Sequence, residues 1–171
     1  GAAVQVVRFA DRSQAPVTVL RGAPIDVDHI LTTSKPGFDL FGIAPGADLD
    51  RIAFAVDGAE SSHGADPGMW RPQIDGPQGP MQVSAAAAVD SGGGDRFDLL
   101  ANRELGRAYL ALLFRRYGNW PDAVTAYNWG PGNLDIWIAQ GRPLAGLPLG
   151  VERYRERVLR DGRIRRGPDS P

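Results

Sequence analysis

The clearest alternation of apolar and polar positions runs over residues 48–64. Leu49, Ile52, Ala53, Val56 and Ala59 recur at helical spacing, which predicts an amphipathic helix with one buried stripe. Asp48 is placed to cap its start and Gly64 to end it. A second rhythm over 102–117 sets Leu105, Ala108, Tyr109, Leu112 and Leu113 on one face. Arg103, Arg107, Arg115 and Arg116 lie mostly off that face. Between these helices, 64–80 is rich in Gly and Pro and predicts a loop with Trp70 exposed in its middle. Residues 81–89 predict a short alanine-rich helix that stops at Ser91-Gly92-Gly93-Gly94. Asn119 caps a further helix with Pro121 in its first turn, running to about Tyr127. Pro131 opens another that ends before Gly141, and 151–159 form the last.

Residues 1–46 follow a different pattern. Short β-branched runs at 4–9 and 17–20 predict the strands of a small hairpin, and 38–43 form a third apolar patch. Pro16, Pro24, Pro36 and Pro45 prevent a long helix. A segment this short builds little core of its own, so the expectation is an N-terminal arm of strand and coil packed on the main domain. The fold class expected is mainly α, with the helical domain over 47–160. The basic segment with Pro168 and Pro171 is expected as a flexible tail over 161–171.

Composition narrows the function classes. A chain of 171 residues, 43% hydrophobic and 23% charged, has the make-up of a globular protein with one sizeable core. A net charge of -1 offers no field for nucleic acid, and the apolar runs are too short for stable membrane insertion. Lys35 is the only lysine, which reads as codon bias. The chain does not start with Met, so a removed leader is expected. The absence of cysteine excludes disulfides, thiolate metal sites and cysteine nucleophiles. His29 and His63 are the only histidines and lack metal-ligand spacing; His63 is expected in solvent near its helix end. No calcium loop occurs, and Gly92-Gly93-Gly94 lacks the Lys-Ser context of a phosphate loop. No metal and no cofactor are therefore expected.

The candidate chemistry starts at Glu60. It lies four residues after Val56, close to the apolar stripe. Loss of hydration there disfavours the carboxylate and raises its pKa, which suits a general acid at neutral pH. From the helix alone, Glu60 also reads as the polar edge of a helix end.

Four separated pieces then line up: Ala59-Glu60-Ser61-Ser62; Gly79-Pro80-Met81-Gln82; Asn102, Gly106, Tyr109 and Leu110; and Ala126-Tyr127-Asn128-Trp129-Gly130-Pro131-Gly132. In order and spacing this set resembles the SLT-domain family of lytic transglycosylases, lysozyme-like enzymes that cut bacterial peptidoglycan. Tyr154, Arg157 and Val158 fit a late Tyr followed by Arg-Val, and the resemblance spans about 48–160. Pro80 replaces the family's usual Leu and Trp129 its usual Ala. Gly150 stands where the family often has Glu, with Glu152 two before Tyr154. These departures bear on groove shape and substrate preference.

The resemblance implies a lysozyme-like helical domain in which Glu60 alone serves as catalytic acid and then base. It cleaves the bond between N-acetylmuramic acid and N-acetylglucosamine without water and leaves a 1,6-anhydro end. The implied substrate-binding set is Ser61 orienting the site, Met81 and Gln82 bonding acetamido groups, and Tyr127 and Asn128 at a helix end opposite the acid. Tyr154 would hold the Glu60 carboxyl group. Trp70 and Trp129 are candidates for stacking on sugar faces. The partner implied is the glycan strand of peptidoglycan, and the location is the periplasm or outside of a bacterium. Two alternatives stay open. A hydrolytic muramidase of goose-lysozyme type would draw a second carboxylate from Asp66 or Asp75, since Asp57 shares the Glu60 helix. A wall-binding component of a secretion or pilus assembly would need no turnover.

Overall fold

The computed structural model describes residues 5–7, 17–19 and 46–164. The chain divides into two compact units, Gly1–Lys35 and Pro36–Pro171. In the first, β1 (Gln5–Val7) and β2 (Val17–Val19) pair antiparallel, with Val6 opposite Thr18. The patch at 38–43, His29 and the expected packing of the arm lie outside the described residues.

The second unit is mainly helical, as the apolar rhythm predicts. Among the described residues it holds α1 (Gly46–Ser61), α2 (Ala85–Asp90), α3 (Leu99–Tyr117), α4 (Trp120–Trp129), α5 (Pro131–Ala139) and α6 (Leu149–Asp161). Helix α3 packs on α1, α2 and α4; α4 packs also on α5 and α6; and α6 returns to α1. The core joins Leu49, Ile52 and Val56 of α1 to Leu110, Leu113, Val124, Leu134 and Val158. Each large apolar side chain buried in this way contributes about 1.5–3 kcal/mol. Because α1 is flanked by both α3 and α6, its buried face is broader than one stripe and takes in Ala55 and Asp57. On α3 the buried edge runs through Asn102, Gly106 and Leu110, whereas Ala108 is only partly covered.

Caps explain where the helix ends fall. The Asp98 carboxylate accepts the Ala101 N–H at 2.8 Å, so α3 starts three residues before Asn102. Asn119 accepts the Asp122 N–H at 2.8 Å and opens α4. The alanine-rich helix starts at Ala85 rather than Met81. Gln82 has φ 49, which breaks a helix there, and Ser84 caps the new start by accepting the Ala87 N–H at 3.1 Å. At the other end of the second unit, residues 161–164 are fastened. The Arg51 Nε donates to the Gly162 carbonyl at 3.2 Å, and Ile164 packs against the core. Residues 165–171 lie outside the described set.

The long loop before α2 is held by buried polar side chains, which explains how so Gly- and Pro-rich a stretch keeps one shape. Asn102, fully buried, accepts the Met81 N–H at 2.9 Å and donates to the Gln78 and Arg96 carbonyls, both at 2.8 Å. Arg96 donates to the carbonyls of Ile74, Gly76 and Val83. Gln78, 1% exposed, clasps the backbone N–H and C=O of Arg71. Each bond satisfies a backbone group that burial would otherwise leave unpaired at a cost of about 1–3 kcal/mol. Two glycines make room. A Cβ on Gly79 would meet the Asn102 amide at 2.5 Å, and one on Gly106 would meet the Met81 Sδ at 2.5 Å and Cβ at 2.7 Å. Gly106→Ala is therefore expected to overpack the α3–loop seam and cost about 1–3 kcal/mol. Thermal unfolding should show a melting temperature lower by several degrees.

Candidate active site

Glu60 lies in the last turn of α1, and its carboxyl group is half-buried. The Tyr154 hydroxyl, from the middle of α6, donates to Glu60 Oε1 at 2.8 Å. Burial pushes the Glu60 carboxyl above the ordinary carboxylate range. The Tyr154 bond and the charges of Arg71 and Arg157 pull the other way without cancelling that effect. Tyr127 and Tyr154 are both driven well above the usual phenol range, first by burial and next by the charge of Glu60. Both hydroxyls are thus fixed donors near the acid. That of Tyr127 goes to the Met81 carbonyl at 2.7 Å, and its ring leans on Tyr109 with centroids 5.6 Å apart.

The turn after Glu60 is tight. Ser62 and His63 both have positive φ, at 52 and 59 degrees, an uncommon state for residues with a Cβ. Ser61 is what secures it. Its hydroxyl donates to the Asp57 carbonyl at 3.1 Å and accepts the Gly64 N–H at 2.8 Å, and the residue is buried. Ser61 therefore holds the turn after Glu60, and its hydroxyl is occupied by protein. One turn earlier, buried Asp57 is paired with Arg103 at 3.2 Å and with His63 Nδ1 at 2.9 Å. His63 is exposed, as expected for a helix end, yet it is engaged on both sides, its ring stacked on Phe54 with centroids 4.2 Å apart.

The roles expected of Met81 and Gln82 need correction. The Met81 N–H is taken by Asn102, its carbonyl receives Tyr127, and its side chain is buried against Gly106. The Gln82 amide is equally committed. Its Nε2 donates to the Met69 and Gly79 carbonyls at 2.7 and 2.8 Å, and its Oε1 accepts Arg71 Nε at 2.6 Å. Neither presents a free side-chain amide or backbone N–H to an acetamido group. Their polar groups are used to shape the loop.

Asn128 is exposed at the end of α4, and its amide meets no hydrogen-bond partner among the described residues. Trp129 is half-buried and packs against the core, so little of its face is open for stacking. Trp70 is 39% exposed and stacks on Phe97, itself 50% exposed, with centroids 6.3 Å apart. Phe97 was not anticipated, because no motif or rhythm marks it. Arg71 was missed for the same reason. The Asp66 carboxylate accepts the Gly68 N–H at 2.8 Å and so caps the short 3-10 turn Pro67–Met69. Asp75 is exposed, and its carbonyl receives the Ala85 N–H. A cleft of about 360 Å³ lies beyond the helix end, lined by Phe54, Gly58, His63, Arg157 and Asp161 among others. Glu60 does not line it, so the chemical argument rests on the surroundings of Glu60 itself.

The family model of the transglycosylase SLT domain matches residues 58–145, which include Glu60, the Met81 turn, the Asn102–Gly106 edge and the Tyr127-Asn128 pair. No curated protein and no solved structure matches the chain. With that match spanning just over half of its 171 residues, the chain belongs to the transglycosylase SLT domain family, a family of peptidoglycan-acting transglycosylases.

Proposed function

We propose that the protein is a lytic transglycosylase that cleaves the N-acetylmuramic acid–N-acetylglucosamine bond of peptidoglycan with Glu60 as its only catalytic carboxyl group. The observation that carries this reading is the balance at Glu60. Burial favours the protonated acid, while the Tyr154 hydroxyl, at 2.8 Å, favours the carboxylate. A group held between these two pulls suits a residue that must first give a proton and then take one.

In the first half of the reaction the Glu60 carboxylic acid protonates the bridging oxygen. The bond from that oxygen to the muramic acid anomeric carbon breaks, and the sugar's own acetamido group stabilises the positive centre. In the second half the muramic acid 6-hydroxyl attacks the anomeric carbon, and its proton returns to the Glu60 carboxylate. No water is consumed, and the product ends in a 1,6-anhydro ring. Asn128, exposed beside Tyr127, is the free amide best placed by sequence to bond a sugar, and the Trp70–Phe97 pair offers apolar area for a sugar face. The substrate assigns the working location to the periplasm or outside of a bacterium. The same residues argue against a purely wall-binding role, since a binding module has no use for a half-dry carboxyl group held by a phenol.

Digestion of purified sacculi followed by mass spectrometry tests the reaction. The proposal expects products one water lighter than those of a hydrolase, and a loss of about a hundredfold or more in rate for Glu60→Gln, as for removal of a general acid. Products carrying the added water, or a Glu60→Gln variant as active as the parent, would refute it. The pH profile tests Tyr154. Activity needs protonated Glu60, so kcat/KM falls as pH rises through the pKa of that group. Tyr154→Phe removes a bond that lowers this pKa. The alkaline limb should therefore move to higher pH while the maximal rate drops roughly tenfold to a hundredfold through lost positioning. An unmoved limb would show that Tyr154 acts only in packing.

A further inference from the structure

Arg71 stands out in the loop before α2. It is exposed, yet both its backbone and its side chain are held. Its backbone N–H and C=O are both bonded to the buried Gln78 side chain, at 2.9 and 2.8 Å. Its Nε donates to Gln82 Oε1 at 2.6 Å, and Gln82 is itself anchored to two carbonyls. That leaves the two terminal Nη groups without a protein acceptor and without a carboxylate in ion-pair reach among the described residues. Arg96, Arg103, Arg107, Arg116, Arg142 and Arg157 each spend a terminal nitrogen on the protein, whereas Arg71 is held through Nε.

The position carries a cost for the chemistry. A cation close enough to act on Glu60 lowers the pKa that an acid catalyst needs raised. A planar fork with its paired donors open is shaped to receive a carboxylate in two parallel bonds. Preorganisation by Gln78 and Gln82 removes much of the ordering entropy such a contact would otherwise lose.

We propose that Arg71 is a specificity-determining residue whose open Nη edge binds a carboxylate on the lactyl arm of the muramic acid. This inference rests on the reading of Glu60 and its surroundings as a peptidoglycan site. The carboxylate has two sources, the lactyl group itself on peptide-free strands and the stem peptide on intact ones. An anion held there also offsets the Arg71 charge, so the pull of Arg71 on Glu60 weakens as the substrate binds. Uncharged glycans of N-acetylglucosamine alone gain neither the contact nor the offset.

The test measures binding by calorimetry in the Glu60→Gln background, which prevents turnover. The ligands are an N-acetylglucosamine oligomer, a peptide-free muramic acid strand and a peptide-bearing strand of equal length. Arg71→Gln should weaken binding of carboxylate-bearing strands about tenfold, the effect of losing roughly 1.4 kcal/mol, and leave the uncharged oligomer unchanged. A loss on the peptide-free strand alone identifies the lactyl carboxylate, a loss on the peptide-bearing strand alone identifies the stem peptide, and a loss on both shows that Arg71 accepts a carboxylate from either source. Equal loss on all three ligands, or none on any, overturns the proposal. A measurement that needs no Arg71 variant guards against misfolding. With Arg71 intact, affinity for charged strands should fall with added NaCl and affinity for the uncharged oligomer should not. Salt-independent binding of every ligand also overturns it. If no strand binds at all, the glycan reading falls with it, whereas binding without charge discrimination removes the Arg71 role alone.

Discussion

The structure depends on keeping one carboxyl group partly out of water without leaving it unpartnered. Glu60 is half-buried at the end of α1, and the Tyr154 hydroxyl from α6 meets it at 2.8 Å. Each contribution alone would spoil the group. Burial without a donor would lock it as a neutral acid, and a donor in open water would leave an ordinary carboxylate. The two together need α1 and α6 in contact at this level, which the burial of Ile52 and Val158 between them provides. The arrangement also has a stability cost. The folded state disfavours the charge that Glu60 carries freely when unfolded, so part of the stability present at low pH is lost as pH rises through the raised pKa of the native state.

The rest of the helical domain serves to fix what surrounds that group. Asn102 is the hinge of this support. From one buried side chain it sets the Met81 amide and the Gln78 and Arg96 carbonyls. Met81 in turn receives Tyr127, and Gln78 holds Arg71. Gly79 and Gly106 are glycines because any Cβ would enter the space of Asn102 or Met81. The separated motifs of the loop, α3 and α4 are therefore parts of one polar scaffold.

Much of this was legible in the sequence. Helical spacing located α1 and α3, and Asn119 and Pro131 mark starts that the structure keeps, while the start expected at Met81 moves to Ala85. The pairing of Glu60 with Tyr154 was implied by the family resemblance, although 94 positions separate them. What escaped was the direction in which polar side chains point. Met81 and Gln82 carry the residue types of a binding turn, but their donors face inward because the loop has no regular secondary structure to satisfy its backbone. Arg71 and Phe97 escaped because loop residues obey no period, so their exposure and neighbours follow only from the folded chain.

The most direct measurement is a titration of the Glu60 carboxyl carbon by NMR with glutamate labelled at Cδ, assigned through the loss of its signal in Glu60→Gln. The account predicts a midpoint clearly above the ordinary glutamate range. A midpoint within or below that range would mean that the carboxyl group is an ordinary solvated one, and would contradict the account.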